Sequence, residues 1–270
     1  MSEHLSLPPQ SPAALVVDEL RDRLDPARPP MLVGAEARDI LHDHLGHSFA
    51  NKATEDVDLA FALPDWDAYR ELVAGFERIP DTGIAFRVAQ LHVDFMAFGS
   101  VESPQGTVRP PFREAFPLDV FGMTEVYAAA HTASTVGGPV IRVPTVAGYV
   151  ALKIKAWIDR SAVHNQKDAP DLGLALFWAA ESAAFQDRFW NDLDLFGAWE
   201  ADASLGGAAL LGADVRDVLG AESADRLADL FTPTSRAELA GAMPDSPGLI
   251  LGDVDRRAAR LEALVSGLRG

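Results

Sequence analysis

The sequence predicts an α+β fold, with a mixed β-sheet core flanked by helices in its first half and a helical region in its second. Short apolar runs typical of strands alternate with amphipathic helical segments as far as residue 144. Beyond that point only helical periods recur, in a segment rich in alanine and leucine. We therefore predict two domains, residues 1–144 and residues 145–270.

The first elements predict a strand, a glycine and a helix. Residues 1–12 contain three prolines and predict a loose tail, whereas residues 13–24 have the apolar spacing of a helix. Residues 31–33 are an apolar run that stops at Gly34, and residues 35–45 then have the pattern of a helix. Gly34 is therefore expected at a strand-to-helix turn.

The remaining elements follow from alternation and from helical spacing. Four prolines between residues 99 and 117 predict a long irregular connection. The pattern predicts strands at residues 57–63, 84–88, 91–98, 126–136 and 140–143, the second and third as a hairpin and the last two as edge strands. It predicts helices at residues 66–79, 145–160, 168–189, 221–230 and 254–268.

Composition excludes several classes of protein. The chain of 270 residues has 23 basic and 40 acidic side chains, a formal net charge of −17, which disfavours a broad duplex-DNA interface. The absence of cysteine excludes disulfides, thiolate metal sites and a cysteine nucleophile, and it agrees with a cytoplasmic protein. No signal peptide is evident, and the longest apolar run, residues 172–180, is too short to span a membrane.

Two carboxylates stand two residues apart at the start of a predicted strand. A period of two places Asp56 and Asp58 on one face and Val57 and Leu59 on the other. Adjacent carboxylates repel each other, and a hard divalent cation with oxygen ligands would remove that repulsion. Without further context, a polar strand start with both carboxylates in solvent is the simpler interpretation.

A third acid lies within an otherwise apolar strand. His92, Asp94 and Met96 share one face of this strand, and Val93 and Phe95 share the other. An unpaired carboxylate is costly to bury. Asp94 therefore indicates either a solvent-facing edge position or a third carboxylate beside the first two.

The turn at Gly34 and Ala35 opens a predicted helix, whose first backbone amides can hold a phosphate. Alone, a glycine between a strand and a helix is most often a simple turn.

Together these features resemble the nucleotidyltransferase superfamily, whose strand, glycine turn, helix, Asp-x-Asp strand and third acid follow in this order over residues 31–98. More narrowly, the chain resembles the abortive-infection type nucleotidyltransferase toxins of bacteria. In those toxins a basic residue and a Ser or Thr precede the first acid, as Lys52 and Thr54 do here. They also have a lysine in a later helix and a Lys/Arg-Asp pair before the next one, which correspond to Lys153 and Asp168.

The resemblance, which covers residues 31–176, implies a Mg²⁺-dependent transfer of a nucleoside monophosphate from a nucleoside triphosphate to an acceptor hydroxyl. The implied metal ligands are Asp56, Asp58 and Asp94, the implied nucleotide contacts are Gly34, Ala35, Lys52 and Thr54, and the further catalytic residues are Lys153 and Asp168. The acceptor would be tRNA or a small molecule, and a toxin of this type would have an antitoxin protein as its partner.

The chain departs from the family pattern at Ala35, where Ser or Gly is usual, and at Lys52, where Arg is common. Lys153 and Lys155 face different directions on one helix, and the motif favours Lys153. Two alternatives stay open. The acidic surface suits a small cationic acceptor such as an aminoglycoside, and the missing hydroxyl at Ala35 suits a catalytically silent nucleotide-binding or partner-binding module.

Three histidines, at positions 42, 44 and 47, stand close together near the end of a predicted helix. His44 and His47 share a helical face, but the sequence shows no evident acidic partner for a metal site. We therefore expect solvated side chains at the end of the helix.

Overall fold

The structure, a computed structural model, describes residues 4–50, 56–80, 83–135 and 137–270. It is a mixed α/β protein in which 52% of the described residues are helical. The chain forms two compact units, the first of Met1–Leu41 and Ala50–Thr145 and the second of His42–Phe49 and Val146–Gly270. Residues 42–49 therefore belong to the second unit, although most of the first unit follows them in the sequence.

The first unit is built on strands that we number in chain order. They are β1 (His4–Ser6), β2 (Met31–Val33), β3 (Asp56–Leu63), β4 (Glu77–Arg78), β5 (Ala85–Val88), β6 (Leu91–Gly99), β7 (Thr107–Val108), β8 (Leu118–Asp119), β9 (His131–Ser134) and β10 (Val140–Val143). β7 and β8 pair with each other, and the others form one sheet in the order β1-β9-β10-β2-β3-β6-β5-β4. β3 and β6 are parallel neighbours, flanked by antiparallel β2 and β5.

Helices connect these strands. Those that begin in the described part of the first unit are α1 (Pro12–Glu19), α2 (Gly34–His44), α3 (Trp66–Val73) and α4 (Met123–Ala129). α1 starts at a cap formed by Ser11, whose side chain accepts from the Ala14 amide, and α3 starts at Asp65, whose side chain accepts from the Ala68 amide.

One face of β3 and β6 packs into the core of the first unit. Val57, Val93 and Phe95 on this face are fully buried, as the alternation in the sequence predicted. α3 packs against it, and the Tyr69 hydroxyl donates to the Phe95 carbonyl at 3.2 Å. Because burial of each large apolar side chain contributes about 2 kcal/mol, a slip of either strand by one residue would be strongly disfavoured.

The predicted hairpin is confirmed. β5 and β6 pair in antiparallel register, with Val88 opposite Leu91. The two connecting residues, Ala89 and Gln90, have φ values of 49° and 66°. This left-handed pair gives the tight two-residue turn that matches the twist of antiparallel strands.

The predicted loose tail was wrong. Residues 4–6 form β1, which pairs in parallel with β9, and Leu5 and Leu7 are buried. His4 hydrogen-bonds to the side chains of Thr132 and Ser134. The alternation of polar and apolar residues from His4 to Leu7 was the signal, and the nearby prolines obscured it.

Two further predictions in the first unit were wrong in part. Residues 126–136 were expected as one strand, but α4 occupies the first of them, with Met123 and Val126 buried at helical spacing, and β9 follows. The helix expected over residues 66–79 ends at Val73, because Gly75 has a φ of +81° and redirects the chain into β4.

The second unit is helical throughout its described elements. They are α5 (Val146–Ser161), α6 (Ala169–Glu181), α7 (Ala183–Asn191), α8 (Leu193–Ala198), α9 (Ala203–Leu219), α10 (Ala221–Leu230), α11 (Pro233–Ala242) and α12 (Val254–Arg269). The single helix predicted over residues 168–189 is two helices, because the buried Ser182 has an extended backbone and ends the first of them. Within the described ranges, none of the helices is both long and apolar enough to cross a membrane.

Candidate functional site

Three acidic side chains share one face of the sheet in the first unit. Asp58 of β3 lies directly opposite Asp94 of β6 in the parallel pair, and Asp56 lies opposite His92. Residues directly opposite each other, and residues two apart on one strand, point to the same face. Asp56, Asp58, His92 and Asp94 therefore share the face opposite the buried Val57 and Phe95.

His92 lies between two of these carboxylates. Its Nδ1 is 3.3 Å from Oδ1 of Asp56, and its Nε2 is 3.3 Å from Oδ1 of Asp94. The side chains of Asp56, His92 and Asp94 are 53%, 34% and 28% exposed, so a solute can reach all three. The sequence analysis had placed His92 and Asp94 on one face but had not included His92 in the site.

Gly34 brings the first turn of α2 against Asp58. In the antiparallel pair of β2 and β3, Val33 lies opposite Asp58, and α2 begins at the next residue. Gly34 has a φ of +69°, and a Cβ added to it would come within 2.0 Å of Oδ2 of Asp58. The position therefore requires glycine both for its backbone conformation and for the space that the carboxylate occupies. Ala35 follows it in the first turn and is half-buried.

The neighbouring strand adds a cation to the same face. Arg87 of β5 lies opposite His92 in the hairpin, and its Nε is 3.4 Å from Oε2 of Glu77. Ala85 lies opposite Asp94 and places only a methyl group beside that carboxylate. The acidic cluster is therefore bordered on one side by an ion pair and beside Asp94 by a methyl group.

The charge of Asp94 influences a tyrosine on the far side of the sheet. Burial first, and the negative charge of Asp94 second, raise the pKa of Tyr69. Its hydroxyl accordingly stays protonated at neutral pH and donates to the Phe95 carbonyl. Tyr69 thus anchors β6 next to Asp94 without entering the acidic face.

The chemistry of the donor set fits a divalent cation. Carboxylate oxygens are the usual protein ligands of Mg²⁺, and the Asp58 carboxylate lies where a Cβ at Gly34 would stand, beside the opening turn of a helix. Among the residues that the structure describes, however, no three histidine or acidic side chains already meet the geometry of a metal site. The magnesium ion stays a prediction from the sequence.

Lys153 and Asp168 lie together in the second unit. The Lys153 ammonium is 3.4 Å from Oδ1 of Asp168 and 2.5 Å from Oδ2 of Asp171. Arg160 donates to both oxygens of Asp168 at 2.8 Å, and the Asp168 side chain is only 1% exposed. Lys153 and Arg160 thus neutralise the two buried carboxylates of Asp168 and Asp171. The sequence analysis did not predict the pair of Lys153 with Asp171, because it had not selected Asp171 as a site residue.

Lys155, the alternative lysine, has a different partner. Its ammonium is 2.7 Å from both carboxylate oxygens of Asp159, one helical turn further along α5. The two lysines therefore face different neighbours, as their spacing predicted. The proposed nucleotide contacts Lys52 and Thr54 lie outside the described residues.

The expectation for the histidines at the end of α2 was wrong for two of them. His42 is 2% exposed; its Nδ1 accepts from the Trp178 indole at 3.0 Å, and its Nε2 lies 3.2 Å from the Phe49 carbonyl. His47 lies 2.9 Å from the Ser182 hydroxyl, and burial lowers its pKa, a shift that the charge of Glu181 partly opposes. These side chains fasten residues 42–49 into the second unit.

Comparison with known proteins adds no assignment. Neither a protein family model nor a curated protein matches the chain. The case for a function therefore depends on the residues and the geometry described above.

Proposed function

We propose that the first unit catalyses metal-dependent nucleotidyl transfer. The observation that carries this proposal is the pairing of Asp58 with Asp94 across parallel strands, with Asp56 on the same face and Gly34 against the Asp58 carboxylate. Three carboxylates on one face repel each other, and a divalent cation bound among them would relieve that repulsion.

In this proposal the three carboxylates and the turn at Gly34 have different roles. Asp56, Asp58 and Asp94 would hold a divalent cation, which would supply charge neutralisation at the triphosphate and at the attacking oxygen. The amides at the start of α2, which begins at Gly34, would receive phosphate oxygens of the triphosphate.

The transfer itself forms one bond and breaks one. The oxygen of an acceptor hydroxyl bonds to the α-phosphorus of the nucleoside triphosphate, and the bond from that phosphorus to the bridging oxygen breaks to release pyrophosphate. Asp94, which is 28% exposed, or a water that it orients, accepts the hydroxyl proton.

A labelling experiment tests the proposal. Purified protein is incubated with each nucleoside triphosphate labelled at the α-phosphate, with Mg²⁺ and with total cell RNA and protein. We expect label in one fraction with the wild type, a loss of at least about a hundredfold with Asp58→Asn or Asp94→Asn, and unchanged transfer with Asp67→Asn. Asp67 is the matched control because its side chain is 86% exposed and pairs with Arg70 on α3.

The labelled fraction would also identify the acceptor. Label in RNA would support the tRNA acceptor implied by the toxin resemblance, and a labelled aminoglycoside, added separately, would support the small cationic acceptor. Nucleoside triphosphate binding without transfer to any acceptor would favour the silent binding module. Transfer that survives in Asp58→Asn would contradict the assignment of the carboxylates.

A further inference from the structure

A group of apolar side chains in the second unit is open to solvent. Trp190 near the end of α7 is 51% exposed, and Leu193 at the start of α8 is 83% exposed. The Trp190 ring packs against Phe196 of α8, with 5.6 Å between the ring centroids. Leu193 precedes Phe196 by three residues, so the two side chains are neighbours on the helix surface. We call Trp190, Leu193 and Phe196 the Trp190 patch.

The Trp190 patch is held in place from beneath. The buried Phe189 contacts both Trp190 and Phe196, with 5.1 Å and 6.0 Å between the ring centroids. The Trp190 indole also donates to the Gln186 side chain at 2.7 Å, one turn earlier on α7. A side chain that is already ordered loses little conformational entropy when a partner covers it, and tryptophan is among the residues that contribute most to binding at protein interfaces.

Acidic side chains border the patch. Asp192 and Asp194 stand on either side of Leu193, and Asp187 lies three residues before Trp190 on the same face of α7. All three carboxylates are exposed, and none of them forms an ion pair with another residue that the structure describes. The patch is therefore an apolar surface with a negative border.

The basic residue of α7 does not neutralise this border. Arg188 donates to both carboxylate oxygens of Asp214 on α9, each at 2.7 Å. Between residues 183 and 200 the chain has four acidic side chains and one basic side chain, which is Arg188 itself. Interfaces commonly join an apolar centre to a rim of complementary charge, so this surface fits apolar side chains accompanied by lysine or arginine.

We propose that the Trp190 patch docks a basic amphipathic helix of a partner protein. Such a helix presents apolar side chains at i, i+3 and i+4, which cover Trp190 and Leu193. Its lysines and arginines then face the carboxylates of Asp192 and Asp194. These residues all belong to the second unit, so the inference is independent of the proposed function of the first.

Charge argues against two other occupants. A two-fold contact between identical patches would bring Asp187, Asp192 and Asp194 of one copy against acidic residues of the other, and like charges across an interface are unfavourable. An anionic membrane surface would meet the same carboxylates and be repelled by them. A cationic partner is instead attracted by the border and by the net charge of −17 of the whole chain.

Peptide binding tests the inference. The probe is a fluorescein-labelled synthetic helix of leucine and lysine with the leucines on one face, and fluorescence anisotropy measures its affinity for the full chain. We expect Leu193→Ser to weaken binding by at least about tenfold, because it removes an apolar contact at the centre of the interface. Val163→Ser is the matched control and should leave the affinity unchanged. Val163 is 73% exposed in the same unit, but the chain has no acidic residue within three positions of it.

A charge variant and a second peptide test the border. The double variant Asp187→Asn/Asp194→Asn should weaken binding of the lysine peptide by about fivefold and reduce its dependence on salt. A peptide with glutamate in place of lysine should bind the wild type at least about tenfold less tightly than the lysine peptide does. Circular dichroism verifies that each variant is folded, and Trp190→Ser replaces Leu193→Ser should the latter unfold.

Four outcomes would overturn the inference. Equal affinities of Leu193→Ser and Val163→Ser would mean that net charge alone attracts the peptide, and a wild type that does not bind the lysine peptide would remove the basis of the proposal. A dimer in analytical ultracentrifugation that Leu193→Ser abolishes would assign the patch to a second copy of the chain. Binding to phosphatidylglycerol vesicles that Leu193→Ser abolishes would assign it to a membrane surface.

Discussion

The carboxylate of Asp58 fills the place where a side chain at residue 34 would lie. A Cβ on Gly34 would come within 2.0 Å of Oδ2 and 2.8 Å of Cγ of Asp58. The glycine and the aspartate are held face to face because Val33, the last residue of β2, pairs with Asp58 in β3. The strand-to-helix turn at Gly34 therefore lies directly against the Asp58 carboxylate of the acidic cluster.

We predict that Gly34→Ala weakens metal and nucleotide binding by at least about tenfold, because the new methyl group must displace the Asp58 carboxylate. The matched control is Gly75→Ala, since Gly75 also has a positive φ, of 81°, but a Cβ there meets no atom within 4 Å among the described residues. Both variants should lose about 1 kcal/mol of stability from the strained backbone. Equal binding by both variants in calorimetric titrations would refute the steric argument.

We predict that Asp58→Asn raises the thermal stability of the metal-free protein. Removing one of three carboxylates on a shared face relieves their repulsion, so the free energy of unfolding should increase by roughly 0.5–1 kcal/mol. Denaturant unfolding with a chelator present measures the change. A decrease of more than about 1 kcal/mol would mean that Asp58 has a structural role in β3.

We predict that Lys153→Met destabilises the chain strongly. The substitution removes the 2.5 Å partner of Asp171 and leaves Asp168 with its Arg160 pair, and removing one partner of a buried ion pair costs about 3 kcal/mol. Lys155→Met is the control, and it should cost about 1 kcal/mol because its partner, Asp159, is 45% exposed.

Chemical denaturation of both lysine variants gives the two free energies, and nucleotide titration gives the second readout. A stable Lys153→Met protein with weakened triphosphate binding would favour the catalytic role that the family resemblance implies. If Lys153→Met is destabilised and the double variant Lys153→Met/Asp171→Asn regains stability, the lysine is a structural counter-ion.

We predict that the stability of the second unit falls with acidity. Burial lowers the folded-state pKa of His47 below its ordinary value of 6.5, so the unfolded chain binds the proton more readily. The stabilisation is therefore present above about pH 6.5 and is lost progressively as the pH falls below it. His47→Gln should flatten this part of the pH profile, whereas His44→Gln, at an exposed position, should leave it intact.

Tryptophan fluorescence during urea unfolding between pH 7.5 and 5.5 would report this change, because Trp178 is buried against His42 in the same unit. A profile for His47→Gln that matches the wild type would exclude His47 as the source. We expect a lower denaturation midpoint in acid for the wild type and for His44→Gln, but not for His47→Gln.

The sequence predicted the two strands that carry the acids, because period-two alternation is a local signal. It placed Asp56 and Asp58 on one face and Val57 on the other, and the structure agrees. The pairing of Asp58 with Asp94 is a matter of register between strands separated in sequence, which local patterns do not encode. His92 was accordingly noted on the right face but was not recognised as a neighbour of Asp56.

Tertiary contacts account for most of the other differences. His42 resembled a solvated residue at the end of a helix, yet Trp178, more than a hundred residues away, covers it. Lys153 resembled a free catalytic lysine, yet Asp171 on the next helix pairs with it. In each case the partner that determines the environment lies on another element, beyond the reach of spacing rules.

The parallel pairing of β3 with β6 also affects how the site forms during folding. Asp58 and Asp94 are 36 positions apart (94 − 58), and α3, β4 and β5 lie between them along the chain. The hairpin of β5 and β6 closes through a two-residue turn and needs no distant contact, so Asp94 and His92 are expected to be in place early. Asp56 and Asp58 join only when the long loop closes, at a greater entropic cost. A partly folded chain in which β3 has detached keeps His92 and Asp94 on β6. It lacks Asp56 and Asp58 beside them, so the acidic cluster is incomplete.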